Sequence, residues 1–248
     1  MSQPIIVTNL TKTFLDEGRG EIRAVDGVSF ECREGEVFGL LGANGAGKTT
    51  TLRMLSTILT PTSGTASVMG RDIVQDPEGV RKNLGFCSAS TALYPRLTPR
   101  ETIEFFARIN HYPNDKVKSR VDELIHRFGL SKYADARIER LSTGMKQKVS
   151  IARTIAHDPL IVIFDEPTMG LDVLNAIEAI DSINELRREG KTIIFSTHIM
   201  SEAERLCDRI AVVHSGKILA CNTLEGLREA TGKHYLEDIF VHMVRGSM

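Results

Sequence analysis

The stretch Gly42-Ala43-Asn44-Gly45-Ala46-Gly47-Lys48-Thr49 constrains this chain more than any other, because it reads G-x-x-x-x-G-K-T. It follows the apolar run Val37-Phe38-Gly39-Leu40-Leu41 and precedes Thr50-Thr51-Leu52-Arg53-Met54-Leu55, which has helical composition. A strand, a glycine loop and a helix in that order form a phosphate-binding loop. The glycines let the backbone curl with its N–H groups inward, and the helix start adds partial positive charge. Lys48 is placed to reach the β- and γ-phosphates of a nucleotide, and the Thr49 hydroxyl to ligate Mg²⁺. The sequence therefore predicts a nucleotide-binding protein.

Composition removes several other classes. With 42% apolar and 25% charged residues the chain has the make-up of an ordinary globular protein. A net charge of -1 gives no overall field for nucleic acid or an anionic membrane. Apolar runs such as Leu160-Ile161-Val162-Ile163-Phe164 fall far short of the ~18 residues that span a bilayer. Met1-Ser2-Gln3-Pro4 does not open a signal peptide, and a cytoplasmic location is expected. Cys32, Cys87, Cys207 and Cys221 contain no C-x-x-C pair, which points to reduced structural thiols rather than a metal or disulfide framework.

Along the chain, Ile5 to Phe14 and Ala24 to Phe30 predict two strands around the turn cluster 16–20, and Ser67 to Gly70 a short strand. Thr98-Pro99-Arg100-Glu101 is a capping box with proline at the first helical position, opening a helix through Ile103, Phe106, Ala107 and Asn110. Val117, Val121, Leu124, Ile125 and Phe128 form the stripe of the next helix, which Gly129 is placed to end. Leu160 to Phe164 reads as a buried strand, Val173 to Glu189 as a helix with Ile177, Ile180 and Ile183 on one side, and Thr192 to Ser196 as the next strand. Ile210 to Val213 and Ile218 to Ala220 flank a hairpin turn. The βαβ alternation predicts a mainly parallel sheet covered by helices.

Asp165-Glu166 ends the apolar run 160–164. A carboxylate at the end of a buried strand beside a phosphate loop suits Mg²⁺ held through water, the task given to Asp165, and Glu166 beside it can take a proton from an attacking water. Leu141-Ser142-Thr143-Gly144-Met145 runs into a helix, with Ser142 as N-cap and Gly144 leaving backbone N–H groups open, a second potential anion site.

With these residues the chain resembles the nucleotide-binding subunits of ABC transporters, over roughly residues 4 to 225. Phe14 matches the family's adenine-stacking aromatic, 42–49 its Walker A, 141–145 its signature, Asp165-Glu166 its Walker B with catalytic glutamate. Gly170-Leu171-Asp172 matches the D-loop and His198 the switch histidine. The resemblance implies a P-loop NTPase fold of RecA type, a parallel-sheet core with an N-terminal antiparallel β layer and an inserted helical subdomain. It implies one ATPase domain over 4–235, with the helical subdomain at about 91–157, and a C-terminal tail at 236–248. It further implies Mg-ATP as substrate, bound by Phe14, Gly42, Ala43, Asn44, Gly45, Ala46, Gly47, Lys48, Thr49 and Thr50, with Thr49 and Asp165 at the metal. Catalysis falls to Glu166, His198 and Lys48. Two copies would dimerise head to tail, so that Ser142 and Gly144 hold the γ-phosphate of the partner's ATP and Asp172 links the two sites. A separate membrane permease would anchor the cassette at the inner face of the membrane.

Two departures mark this chain. Ala89 stands where the family's Q-loop carries glutamine, with Ser88 and Ser90 beside it; Thr143 and Met145 replace a glycine and the glutamine of the signature. The form S-x-G-M-x-Q-K resembles the sodium-extruding, NatA-type branch of the export-type cassettes. The same machinery serves two other uses. A non-transport ATPase on ribosomes or DNA fits poorly with a single phosphate loop and no long heptad run; Arg137, Arg140, Lys146, Lys148 and Arg153 are expected to be a solvated helix face, and no nucleic-acid partner is expected. A weakly hydrolysing nucleotide sensor is motivated by Ala89. The segment from Leu224 on, with Tyr235, Ile239, Phe240, Val241 and Val244, is expected to be helical and to pack on the domain or on a second copy.

Overall fold

The computed structural model describes residues 3–18, 20–88 and 92–246. Ala89 and Ser90, and with them the Q-loop position, lie outside the described residues. The first third comprises β1 (Ile5–Asp16), β2 (Gly20–Cys32), β3 (Val37–Leu41), α1 (Lys48–Leu55), β4 (Ser63–Val68), β5 (Arg71–Asp72), α2 (Pro77–Asn83) and β6 (Leu84–Ser88). The middle is helical: α3 (Pro99–Ile109), α4 (Val117–Arg127) and α5 (Thr143–Thr154). Then follow β7 (Ile161–Asp165), α6 (Val173–Arg188), β8 (Thr192–Thr197), α7 (Met200–Leu206), β9 (Arg209–His214), β10 (Lys217–Asn222), α8 (Leu224–Thr231) and α9 (Leu236–Gly246).

Among the described residues the strands form two sheets. One runs β2-β1-β4-β5 and is antiparallel throughout. The other runs β10-β9-β3-β8-β7-β6 and is parallel apart from the β9–β10 hairpin. Its central strands are buried on both faces, and their side chains alternate between two cores. Val162 and Phe164 of β7 join Ile193 and Phe195 of β8 in a core shared with α3 to α6. Ile161, Ile163 and Ile194 face the other way, into the core built by α1 and the antiparallel sheet. The carboxyl ends of β3, β6, β7 and β8 thereby lie along one edge.

Several expectations shift by a few residues, each for a local reason. Met69 and Gly70 have positive φ and make the tight β4–β5 turn, whereas Ser63 and Gly64 already belong to β4. Leu160 is 50% exposed and precedes β7, its carbonyl accepting the Thr192 N–H. On α6 the buried stripe is Ala179, Ile180, Ile183 and Leu186, and Ile177 lies toward the open end of the helix with Val173 and Leu174. Arg153 is not on a solvated face. It is 3% exposed, lies over the Phe106 ring and donates to the Ala92 carbonyl, and burial pulls its pKa down. The C-terminal segment makes two helices, and Leu236 and Ile239 of α9 are buried against Leu41, Ala203, Ile210 and Val212.

Candidate active site

The phosphate loop leaves β3 and enters α1 through Gly47, whose φ of 103° is open to glycine and costly to other residues. A Cβ there would also stand 2.5 Å from the Ala24 carbonyl oxygen, so both conformation and space demand glycine. The loop is tied down by the Ala46 carbonyl, which accepts the Gly216 N–H at 3.0 Å. Lys48 is 4% exposed and folds back over the loop, donating to the carbonyls of Gly42 at 2.7 Å and Ala43 at 3.1 Å. Its Nζ also lies 3.1 Å from Glu166 Oε1.

Parallel register brings the remaining groups together. Ser88 of β6 pairs with Asp165 of β7, which pairs with Ser196 of β8. Neighbours in register project to the same side of a sheet, so the three side chains form one row. Asp165, 3% exposed, accepts from Thr49 at 3.0 Å and Ser196 at 2.7 Å through Oδ1, and from Ser88 at 3.3 Å through Oδ2. Glu166 leaves the strand with φ of 49° and swings its carboxylate to Lys48 on one side and His198 Nδ1, 3.2 Å away, on the other. A cavity of about 460 Å³ opens here, lined by Asn44 to Thr50, Arg53, Ser88, Asp165, Glu166 and Met169.

Other expected site residues stand elsewhere. Phe14 sits on β1 opposite Ile22, 40% exposed, with Lys12 Nζ 5.3 Å from its ring centre. Ser142 caps α5 by accepting the Met145 N–H, and Gly144 is packed against Asn175. Asp172 caps α6 and accepts from Asn175 through both the backbone and the side-chain amide. The bond from the Asn175 N–H holds the Asp172 carboxyl below the usual carboxylate range, with the side-chain amide adding to it. None of Ser142, Gly144 and Asp172 lines the Lys48 cavity.

Three residues outside the expected set turn out to hold the site. Ser196 links the Asp165 carboxylate to the backbone N–H of Glu166, and Asn175 joins signature and D-loop. Glu202 of α7 accepts from Thr168 and from Thr197 at 2.6 Å each, joining the segment after Glu166 to the one before His198.

The residues fit a magnesium nucleotide. Around Asp165 the donors are hydroxyl and carboxylate oxygens alone, the hard set that Mg²⁺ prefers, and the Lys48 ammonium beside it suits phosphate. A family model described as ABC transporter matches residues 25–169. The ABC transporter ATP-binding protein NatA of Bacillus subtilis is 41% identical over 98% of this chain and 99% of its own length. The chain belongs to the ABC transporter family. It is an ATP-binding cassette of that family and an ATPase. Among similar cassettes, the daunorubicin resistance ATP-binding protein DrrA3 of Streptomyces coeruleorubidus is 36% identical over 91% of this chain and 71% of its own. A dimeric cassette solved in a post-hydrolysis state with ADP and Pi superposes with a TM-score of 0.80 at 26% identity, covering 88% of this chain and 98% of that one. The parallel core, antiparallel layer and helical middle described above are thus the ABC cassette architecture.

Proposed function

We propose that this cassette supplies the ATP-driven power stroke for an export system, acting on a separate membrane permease, with Na⁺ as the cargo favoured by its likeness to NatA. The second relative, named for drug resistance, supports the export direction. Among the described residues no helix is long and apolar enough to cross a membrane, so this reading places the chain at the inner face of the membrane through its permease. Residues 4–235 act as one ATPase domain with the helical subdomain of about 91–157 inserted, and 236–248 as its tail.

The observation that carries this reading is the convergence of Lys48, Glu166 and His198 beside the Thr49–Asp165 pair. Lys48 would hold the β- and γ-phosphates while the loop N–H groups surround them. Thr49 and Asp165 would hold Mg²⁺, which would offset the charge of the phosphates. Glu166 would accept the proton of the attacking water, with His198 fixing its far oxygen. Phe14 would stack on the base. Ser142, Gly144 and Asp172 do not line this cavity and would complete the site of a second copy, in keeping with the dimeric relative.

The test is Glu166→Gln. Hydrolysis should fall on the order of 10²- to 10⁴-fold while ATP still binds. Light scattering after size-exclusion chromatography should show a monomer that becomes a dimer only with Mg-ATP. Brisk residual hydrolysis would remove Glu166 from the base role, and an ATP-insensitive monomer would count against the shared site.

A further inference from the structure

Ser196 is a hydroxyl that directly follows Ile193, Ile194 and Phe195 in β8, and like them it is fully buried. Burying a hydroxyl is costly unless its bonds are made, and here all of them run to the site. Ser196 Oγ accepts the Glu166 N–H at 3.1 Å and donates to Asp165 Oδ1 at 2.7 Å. The direction is fixed, since a carboxylate only accepts and a backbone N–H only donates. A one-way chain therefore runs from the Glu166 amide through Ser196 to the Asp165 carboxylate. The Glu166 N–H is shared with the Ser196 carbonyl, also at 3.1 Å, which secures the left-handed turn at φ 49°. Thr49 can keep donating to Asp165 while a lone pair turns to a cation, whereas both side-chain bonds of Ser196 run to Asp165 and the Glu166 backbone.

We propose that Ser196 is a positioning residue that aims the Asp165 carboxylate at the Mg²⁺ shell and ties it to the backbone of Glu166, so that metal holding and water activation keep one geometry. This rests on the roles given above to Asp165 and Glu166. The strand partner Ser88 holds the other carboxylate oxygen at 3.3 Å, so Asp165 is gripped on both oxygens, and the loss of Ser196 leaves Oδ1 to Thr49 alone.

The experiment compares the unsubstituted protein with Ser196→Ala, Ser196→Cys and Ser196→Thr, binding a fluorescent ATP analogue first in EDTA and then across a Mg²⁺ titration, alongside steady-state hydrolysis. Removing a group that orients a metal ligand typically costs ~10- to 100-fold in metal affinity or activity. Ser196→Ala should leave binding in EDTA unchanged, raise the half-maximal Mg²⁺ concentration about tenfold and lower kcat more than it changes KM. Ser196→Cys keeps the shape with a weak donor and should move the same way, while Ser196→Thr keeps the hydroxyl and should restore the Mg²⁺ midpoint. An unchanged midpoint in either folded variant, Ala or Cys, overturns the inference even if thermal stability drops. If the unsubstituted protein shows no Mg²⁺ effect, the role of Asp165 itself is refuted, a different failure from an unchanged midpoint in the variants.

Discussion

The side-chain amide of Asn175, at the start of α6, lies so close to Gly144 in the signature that a Cβ on Gly144 would overlap Asn175 Oδ1. The amide cannot simply swing away, because it donates to Asp172 at 2.5 Å while the Asn175 N–H donates to the same carboxylate at 3.0 Å. One side chain thus sets the spacing between two segments that the proposed dimer presents to its partner.

Gly144→Ala follows directly. Alanine is intrinsically better in a helix than glycine by about 1 kcal/mol, but overpacking a fixed contact costs about 1–3 kcal/mol. The overlap should win. Gly144→Ala is expected to be less stable by about 1 kcal/mol in urea unfolding, and adding Asn175→Ala should recover that loss. A single variant more stable than the unsubstituted protein would show that Asn175 yields freely.

Glu202→Ala removes the acceptor of two buried hydroxyls, Thr168 at 6% and Thr197 at 2% exposure. Leaving a buried donor unpaired costs about 1–3 kcal/mol. Chemical denaturation should show a loss in that range, and hydrolysis should fall as well, because the loops of Asp172 and His198 lose their common tie. A stable variant with reduced hydrolysis would make the tie purely functional; full activity would deny it any part in the site.

His157 lies beside Leu84, Gly85 and Thr154 in a cavity of about 230 Å³, and neither ring nitrogen finds a hydrogen-bond partner among the described residues. Burial drives its pKa down from 6.5 to about 4. The unfolded chain therefore binds the proton first. Stability is full above pH 6.5, falls between 6.5 and about 4, and is flat with respect to this group below that. Each tenfold change in proton affinity is worth about 1.4 kcal/mol, which bounds the loss at about 3 kcal/mol. Measured against His157→Leu, whose stability lacks this titration, the unsubstituted protein should lose ground by up to that amount over the same window. Parallel pH profiles would show the ring to be solvated.

Local features were legible in the chain because their partners are neighbours. The Thr98–Glu101 capping box, the Ser142 cap and the αL glycine Gly129 all appear as expected, and each involves residues within a few positions. The two-fold burial of 161–164 was legible from its unbroken apolar run, whereas the exposure of Leu160 and Ile177 was not, since helix and strand ends are set by what covers them. Arg153 misled for the same reason: its charge suggested water, and only the packing of α5 against Phe106 put it inside.

By itself the sequence determined that this protein binds phosphate, in which order its motifs occur and which family it resembles, because a phosphate loop and its helix are a contiguous device whose geometry follows from adjacent glycines. Tertiary structure alone decided how those motifs work together. Ser196 meets Asp165 only because β7 and β8 pair in one register; a slip of one residue would turn the hydroxyl to the opposite face. Glu166 reaches Lys48 and His198 only because it leaves its strand in a left-handed turn, and Asn175 meets Gly144 only because α5 and α6 pack side by side. These contacts join residues far apart in the chain, so their positions depend on the packing of whole elements, which no local spacing encodes.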